Sequence, residues 1–439
     1  MAWCAYPWGW RMSKISGRTW KTGSGDGRPA ARGQLLDLFH AALAAVHGGV
    51  QVGNFLRQHP LSGTVYLIAV GKAACPMARA AGEMLGAQAR DAWVVTKAGY
   101  GEDLPWKVRE TGHPLPDARS IEAGAGLLDF IRRLPGDATV VVLLSGGASA
   151  LVECPVSGIG LAELQAVNEW LLGSGIGIAG VNAVRRRLSR IKGGGLAALL
   201  APRRVLCLAI SDVPGNDRLT IASGMLVHAP HPLRALPADI PSALRTMIGK
   251  ATPAAEVGMS AFRNVRYHII ASPEDAVRAA AGAARDLGYR MYAGDQIFEG
   301  DAVHNGQRFA RELLDGPEMA VHVWGGESSV RLPPCPGRGG CNQSLALAAA
   351  TLLAGHDDVF LLAAGTDGSD GPGDDAGALV DSGTIERGYS AGFDAQAAIT
   401  GADAGSFLEA STDLLYTGPT GTNVADIVIG LRTDPHYRN

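Results

Sequence analysis

Five apolar runs in this chain end in the same way, and that repetition constrains the fold more than any other feature. Thr64–Val70 (TVYLIAV) breaks at Gly71-Lys72, Ala138–Leu144 (ATVVVLL) at Ser145-Gly146-Gly147, and Arg204–Ile210 (RVLCLAI) at Ser211-Asp212. Met319–Trp324 breaks at Gly325-Gly326-Glu327, and Val359–Ala364 opens into a glycine loop holding Asp367, Asp370, Asp374 and Asp375. Runs that are apolar throughout, rather than on alternate residues, suit strands buried on both faces. Helix-like segments separate them: Ala73–Leu85, Arg119–Leu134, Leu161–Leu172, Asn182–Arg190, Glu274–Leu287, Ala302–Leu314 and Gln343–Leu353. Strands alternating with helices over such a length predict an α/β fold with a parallel sheet covered on both sides.

At 439 residues the chain exceeds one ordinary core, so two domains are expected. Residues 1–33 carry four tryptophans, a basic excess and no sustained period, and read as a disordered extension, with a partner-docking arm as the alternative. A first domain is expected over 34–253, ending in the proline-rich stretch Pro230–Pro253. A second is expected over 254–439, restarting with the strand Val265–Ala271. Hydrophobic content of 47%, charge of 18% and a net charge of −3 exclude a disordered or nucleic-acid-coating chain. No run reaches the ~18–20 uncharged apolar residues of a membrane span, so no membrane partner is expected. Six scattered cysteines without a CxxC suit a reduced, cytoplasmic setting.

In open α/β sheets ligands collect beyond the carboxyl ends of the strands, which is where the polar glycine loops fall. Glycines let backbone N–H groups approach an anion, and Leu143–Leu151 (LLSGGASAL) meets that criterion best. Its alternative is a plain strand-to-helix turn. Lys72, directly after a strand, suits a phosphate or carboxylate, though a surface lysine would look the same. Asp212, Asp217, Asp367 and Asp370 offer metal ligands or general bases. Four carboxylates in nine residues, Asp367 to Asp375, imply either a nearby cation or a solvated turn. Three decoys also stand out. Gly175–Gly180 (GIGIAG) matches GxGxxG but follows a helix, with no acid between Val181 and Ser211 to hold a ribose. Gly71-Lys72-Ala73 lacks the upstream glycine and the Ser/Thr of a Walker A loop. His228 and His231 have no evident third ligand.

Taken in order, the loops resemble those of the glycerate 2-kinase family, the two-domain type with a C-terminal MOFRL domain. The matching pieces are GKAACPMA at 71–78, TGHPLPD at 111–117, LLSGGASAL at 143–151, NAVRRRLSRIKGGGLA at 182–197 and SDVPGNDRLTIASG at 211–224. They continue with GGESSV at 325–330, GRGGCNQSLALA at 337–348, GTDGSDGPGDDAGA at 365–378 and TGPTGTNVAD at 417–426. Any one is weak; nine in register are specific. The resemblance implies a Rossmann-like first domain and a MOFRL-type α/β second domain, with an active site in the cleft between them. It implies a transferase, a kinase that moves the γ-phosphoryl group of ATP, with Mg²⁺, to a hydroxyl of a small hydroxy acid.

Carried over by position, Lys72, Asp212 and Asp367 would be catalytic, with Asp212 and Asp367 also the magnesium ligands. Ser145, Gly146, Gly147, Ser149, Lys192, Gly193, Gly194, Thr366, Thr420 and Asn423 would bind nucleotide and phosphate. His113, Arg185, Arg187, Glu327, Cys341 and Gln343 would line the acceptor. A homodimer is possible. Departures stand beside these matches: Cys341 and Ser344 replace the Arg and Glu of the family's GGRNQE, and Asn216 replaces an aspartate. A cysteine cannot clamp a carboxylate as an arginine does. Either the acceptor is a larger or uncharged alcohol, or the chain is a weak or inactive relative that binds nucleotide without transfer. A nicotinamide-dependent hydroxypyruvate reductase is the third alternative.

Overall fold

The computed structural model describes residues 28–174, 176–229, 240–251, 257–294 and 297–434. Residues 1–27 of the expected extension, Gly175 of the GxGxxG match and His231 lie outside these. The described chain forms two compact units. One takes in residues 43–276 and 421–425; the other takes in the described parts of 1–42, 277–420 and 426–439.

The first unit holds a six-stranded sheet of β1 (Val65–Val70), β2 (Ala89–Lys97), β3 (Val108–Thr111), β4 (Thr139–Leu144), β5 (Arg204–Ile210) and β6 (Val265–Ala271). The order is β3-β2-β1-β4-β5-β6 and every pairing is parallel. Ile68, Val70, Val140, Val142, Leu144 and Cys207 pack against Leu127, Phe130, Leu196 and Leu200 from the covering helices. A doubly wound order of this kind reverses between β1 and β4, and the crevice at such a reversal is where ligands sit. Val70 pairs with Leu144 at the last register position, so Gly71-Lys72 and Ser145–Gly147 emerge side by side at that crevice.

The strand Val265–Ala271 does not open the second sheet, as the sequence suggested. It pairs with β5, Cys207 opposite Tyr267, and forms the edge of the first. A proline-rich stretch interrupts local structure, but nothing local states which sheet the next strand joins. Residues 28–33, expected in the extension, belong to the helix Arg28–Val46, whose Arg32 forms ion pairs with Asp381 and Asp413.

The second unit holds β7 (Arg290–Ala293), β8 (Ala320–Gly326), β9 (Val359–Gly365), β10 (Gly377–Asp381), β11 (Leu414–Leu415) and β12 (Asp426–Arg432), in the order β11-β10-β9-β12-β8-β7. β12 runs antiparallel to both β8 and β9, with Asp426 opposite Gly326 on one side and Gly365 on the other. The acid loop is therefore a hairpin loop joining β9 to the antiparallel β10. The helix Cys341–Leu353 covers this sheet, with Leu345, Leu347 and Leu353 packed among Phe309, Leu361 and Val380. No single helix among the described residues is long and apolar enough to cross a membrane.

Candidate active site

In the first unit the crevice is tied together by the loops themselves. Gly71 has φ +135°, and a Cβ there would lie 2.1 Å from Ser145 Oγ. That close approach lets Ser145 N–H donate to Val70 O (3.1 Å), Lys72 N–H to Gly146 O (3.0 Å) and Ala73 N–H to Ser145 Oγ (3.0 Å). Ser145, buried, thus serves as a stitch between the two loops.

Gly146 and Gly147 are where the side chains converge. A Cβ on Gly146 would fall 1.9 Å from Asn423 Nδ2 and 2.2 Å from Asp212 Oδ2. One on Gly147, which has φ +85°, would fall 3.0 Å from His113 Cδ2 and 3.5 Å from Lys72 Cγ. Lys72, His113, Asp212 and Asn423 therefore surround two residues that have no side chains. The N–H groups of Gly146 and Gly147 donate to nothing among the described residues, so both are available to an anion. Asn423 comes from far along the chain on the segment 421–425. It is held there by Thr422 Oγ1 donating to Val46 O (2.7 Å) and by Gly48 N–H donating to Gly421 O (2.9 Å). His47 packs beneath Gly421, and burial lowers its pKa, which favours the neutral ring.

Other expected residues of this unit are engaged elsewhere. Lys192 is buried, and its ammonium pairs with the buried Glu153, which also accepts from Ser189 Oγ and from Cys154 N–H (2.9 Å). Gly193 and Gly194 N–H donate to Ser223 O (3.0 Å) and Gly224 O (2.8 Å). Arg185 Nε donates to Asn168 Oδ1 (2.9 Å), and burial lowers its pKa. Arg187 is half-buried on the same helix, Ile178–Arg187. Asp217 accepts from Leu219 N–H (3.1 Å) and Thr220 Oγ1 (2.6 Å), the work of a turn residue. Ser149 Oγ lies 2.7 Å from Ser223 Oγ.

In the second unit the register of β12 gathers acids at one end of the sheet. Asp367, buried directly after β9, accepts from Ser369 N–H (2.9 Å). The backbone around it is fixed by Thr420, whose hydroxyl donates to Thr366 O. The Oδ1 atoms of Asp367 and Asp426 lie 3.3 and 3.5 Å from the point a Cβ on Gly365 would occupy. Burial, together with the charges of Glu327, Asp370 and Asp367, pushes the Asp426 carboxyl well above its ordinary range. Asp426 did not stand out in the sequence; its signal was an acid opening an apolar strand straight after a glycine loop.

Asp370 and Asp375 hold the loop to the start of the neighbouring helix. Asp370 accepts from Asn342 N–H (3.1 Å) and Gln343 N–H (2.8 Å) and so caps the helix Cys341–Leu353, while burial raises its pKa to about 6. Asp375 accepts from Arg338 Nη2 (2.8 Å) and Gln343 Nε2 (2.7 Å). Gln343, fully buried, thus braces the loop. The Cys341 thiol is raised to about 12 by burial and by Asp370, Asp426 and Glu327, so it is neutral at pH 7. Among the described residues no three metal-ligating groups close into a cage. Mg²⁺ uses one or two carboxylates and completes its shell with water and phosphate, which the Asp367–Asp426 pair suits.

Residues 34–241 match a family described as a domain of unknown function (DUF4147), and residues 320–426 match the MOFRL family. The chain is 37% identical over 384 residues to D-glycerate 2-kinase of Thermotoga maritima, covering 84% of this chain and 90% of that one. It is 36% identical over 419 residues to a protein of Agrobacterium vitis named putative hydroxypyruvate reductase, covering 91% and 94%. The crystal structure of glycerate kinase from Thermotoga maritima superposes with a TM-score of 0.77 at 34% identity, covering 92% of this chain and all of that one.

Proposed function

The chain belongs to the glycerate 2-kinase family, and from that premise we propose that it transfers the γ-phosphoryl group of ATP to a hydroxyl of a glycerate-like hydroxy acid or a related alcohol. The observation that carries the proposal is the convergence of Lys72, Asp212 and the two undonated N–H groups of Gly146 and Gly147 at the reversal of the first sheet. Phosphoryl transfer asks a protein mainly to position its reactants and neutralise charge on the moving group. Lys72 and the two glycine N–H groups do the second, as preorganised donors aimed at the phosphoryl oxygens. Asp212, steadied by the Asn423 amide at 3.4 Å, takes the proton of the attacking hydroxyl.

Taken by itself, the second unit offers hard oxygen ligands. Asp367 and Asp426 would hold Mg²⁺, which when bound would supply positive charge of the kind phosphoryl transfer uses. Burial first, and then the charges of Glu327, Asp370 and Asp367, raise the Asp426 carboxyl, and a cation there would oppose that shift.

Cys341 bears on which of these acceptors is used. Cys341 presents a neutral thiol among Glu327, Asp370 and Asp426, so that corner repels a carboxylate. The reductase alternative finds no support in the geometry. β2 ends in Thr96-Lys97, where a dinucleotide fold needs an acid for the ribose, and the loop after β1 lacks the glycine fingerprint. ADP release measured over hydroxy acids, sugars and cyclic alcohols tests the assignment. Turnover with at least one alcohol is expected; no turnover with any acceptor and no ATP binding would overturn it.

A further inference from the structure

Ser223 is buried in the turn Ile221–Gly224 with φ +53°, beside Ala222 at +50°. Left-handed backbone is costly for a residue with a Cβ and persists only where the surroundings impose it. Here they do, because four segments meet at this one residue. Its N–H donates to Thr220 O (3.0 Å) and its carbonyl accepts from Gly193 N–H (3.0 Å). Its hydroxyl lies 2.7 Å from Asn182 Oδ1 and 2.7 Å from Ser149 Oγ.

A count of protons sets the direction of this chain. A hydroxyl has one hydrogen to give, and the amide oxygen of Asn182 can only accept, so the Ser223 hydrogen goes to Asn182. The contact between the two serines must then use the hydrogen of Ser149. Ser149 is half-buried, two residues beyond Gly147 in the loop after β4, and is left with lone pairs alone to offer a ligand.

We propose that Ser223 is a positioning residue that fixes the Ser149 hydroxyl as a hydrogen-bond acceptor, so that Ser149 recognises a hydroxyl of a substrate and not a phosphate oxygen. The bridging and fully ionised oxygens of a nucleotide phosphate carry no proton to give, whereas an alcohol does. The hydroxyl is that of the phosphoryl acceptor or of the nucleotide's ribose. This inference rests on the kinase reading above.

Ser223→Gly and Ser223→Ala test it in the full chain, with Ser149→Ala and the double variant Ser149→Ala/Ser223→Gly. Glycine relieves the left-handed strain and alanine keeps it, so the glycine variant should melt at the higher temperature of the two. Both lose the relay equally. Each should raise the KM of one substrate about ten-fold, the size of one lost hydrogen bond, and leave kcat less affected. A rise confined to ATP assigns the ribose; a rise confined to the alcohol assigns the acceptor. Ser149→Ala should reproduce the rise, and the double variant should add nothing to it. Unchanged KM values, an additive double variant, or a KM that follows melting temperature would overturn the inference while leaving the kinase reading intact. No ATP-dependent transfer by the unaltered chain would overturn both.

Discussion

The side-chain amide of Asn423 lies 3.4 Å from the carboxylate of Asp212, although 211 residues separate them in sequence. Gly146 passes so close to both that any side chain there would overlap them. The carboxylate is thus held by an amide on one side and by bare backbone on the other.

Gly146→Ala should therefore displace Asp212 or Asn423. A loss in kcat/KM of at least ~100-fold is expected, since small misplacements of reacting groups cost that much. Stability should fall by about 1–3 kcal/mol, the usual penalty of overpacking. Steady-state kinetics and urea unfolding check the pair; an alanine variant with ordinary kinetics would show that the crowding is not functional.

Lys72→Met should lower kcat by about 100- to 1000-fold, the range for removing one preorganised charge-stabilising donor. Lys72→Arg should recover little, because a planar guanidinium does not replace a compact ammonium on a side chain whose Cγ packs against Gly147. Full activity in Lys72→Arg would argue that the position supplies only positive charge.

Lys192→Met separates two roles for a lysine the sequence marked as a phosphate ligand. Its partner Glu153 is buried, so removing the ammonium leaves an uncompensated carboxylate, at a cost of about 3–5 kcal/mol. Glu153→Gln added to it should restore part of that loss. A variant of unchanged stability but weakened ATP binding would return Lys192 to the phosphate site.

How far the sequence could lead is visible in these residues. The parallel first sheet was legible because apolar runs and glycine breaks are local signals, and so was the loop of Asp367. The Lys192–Glu153 pair was not legible, because a lysine beside glycines looks alike whether it meets a phosphate or a buried carboxylate, and only packing distinguishes them. The bonds between Asp370 and the start of Cys341–Leu353 were hidden in the same way, since they depend on which helix start lies opposite the loop. Asp426 and Ser223 were passed over because register and backbone handedness, not residue type, give them their places.

Asp370 makes stability depend on pH in an unusual direction. Its carboxyl, ordinarily near 3.8, is raised to about 6, with burial the main cause. Between these values the folded state keeps a proton that the unfolded state has lost. Its contribution is therefore most favourable below about pH 4, falls as pH rises to about 6, and is constant above. A shift of that size corresponds to roughly 3 kcal/mol. The stability difference between the unaltered chain and Asp370→Asn, followed by urea unfolding from pH 4 to 7.5, should show this decline. A difference independent of pH would contradict the assignment.

Cys341→Arg should convert the acid corner into a carboxylate clamp. The guanidinium would have Glu327, Asp370 and Asp426 as partners, and a net gain on glycerate of at least ~10-fold in kcat/KM is expected from a charged hydrogen bond. An unchanged preference across the acceptor panel would show that this position does not select the substrate.

The most direct test of the account is phosphorus NMR of the purified chain with ATP, Mg²⁺ and a panel of alcohols that includes glycerate, compared with its Asp212→Asn variant. ADP and a new phosphate ester should form in equal amounts with the unaltered chain, and both should be lost in the variant. ADP with free phosphate and no ester, or no consumption of ATP in any mixture, would contradict it.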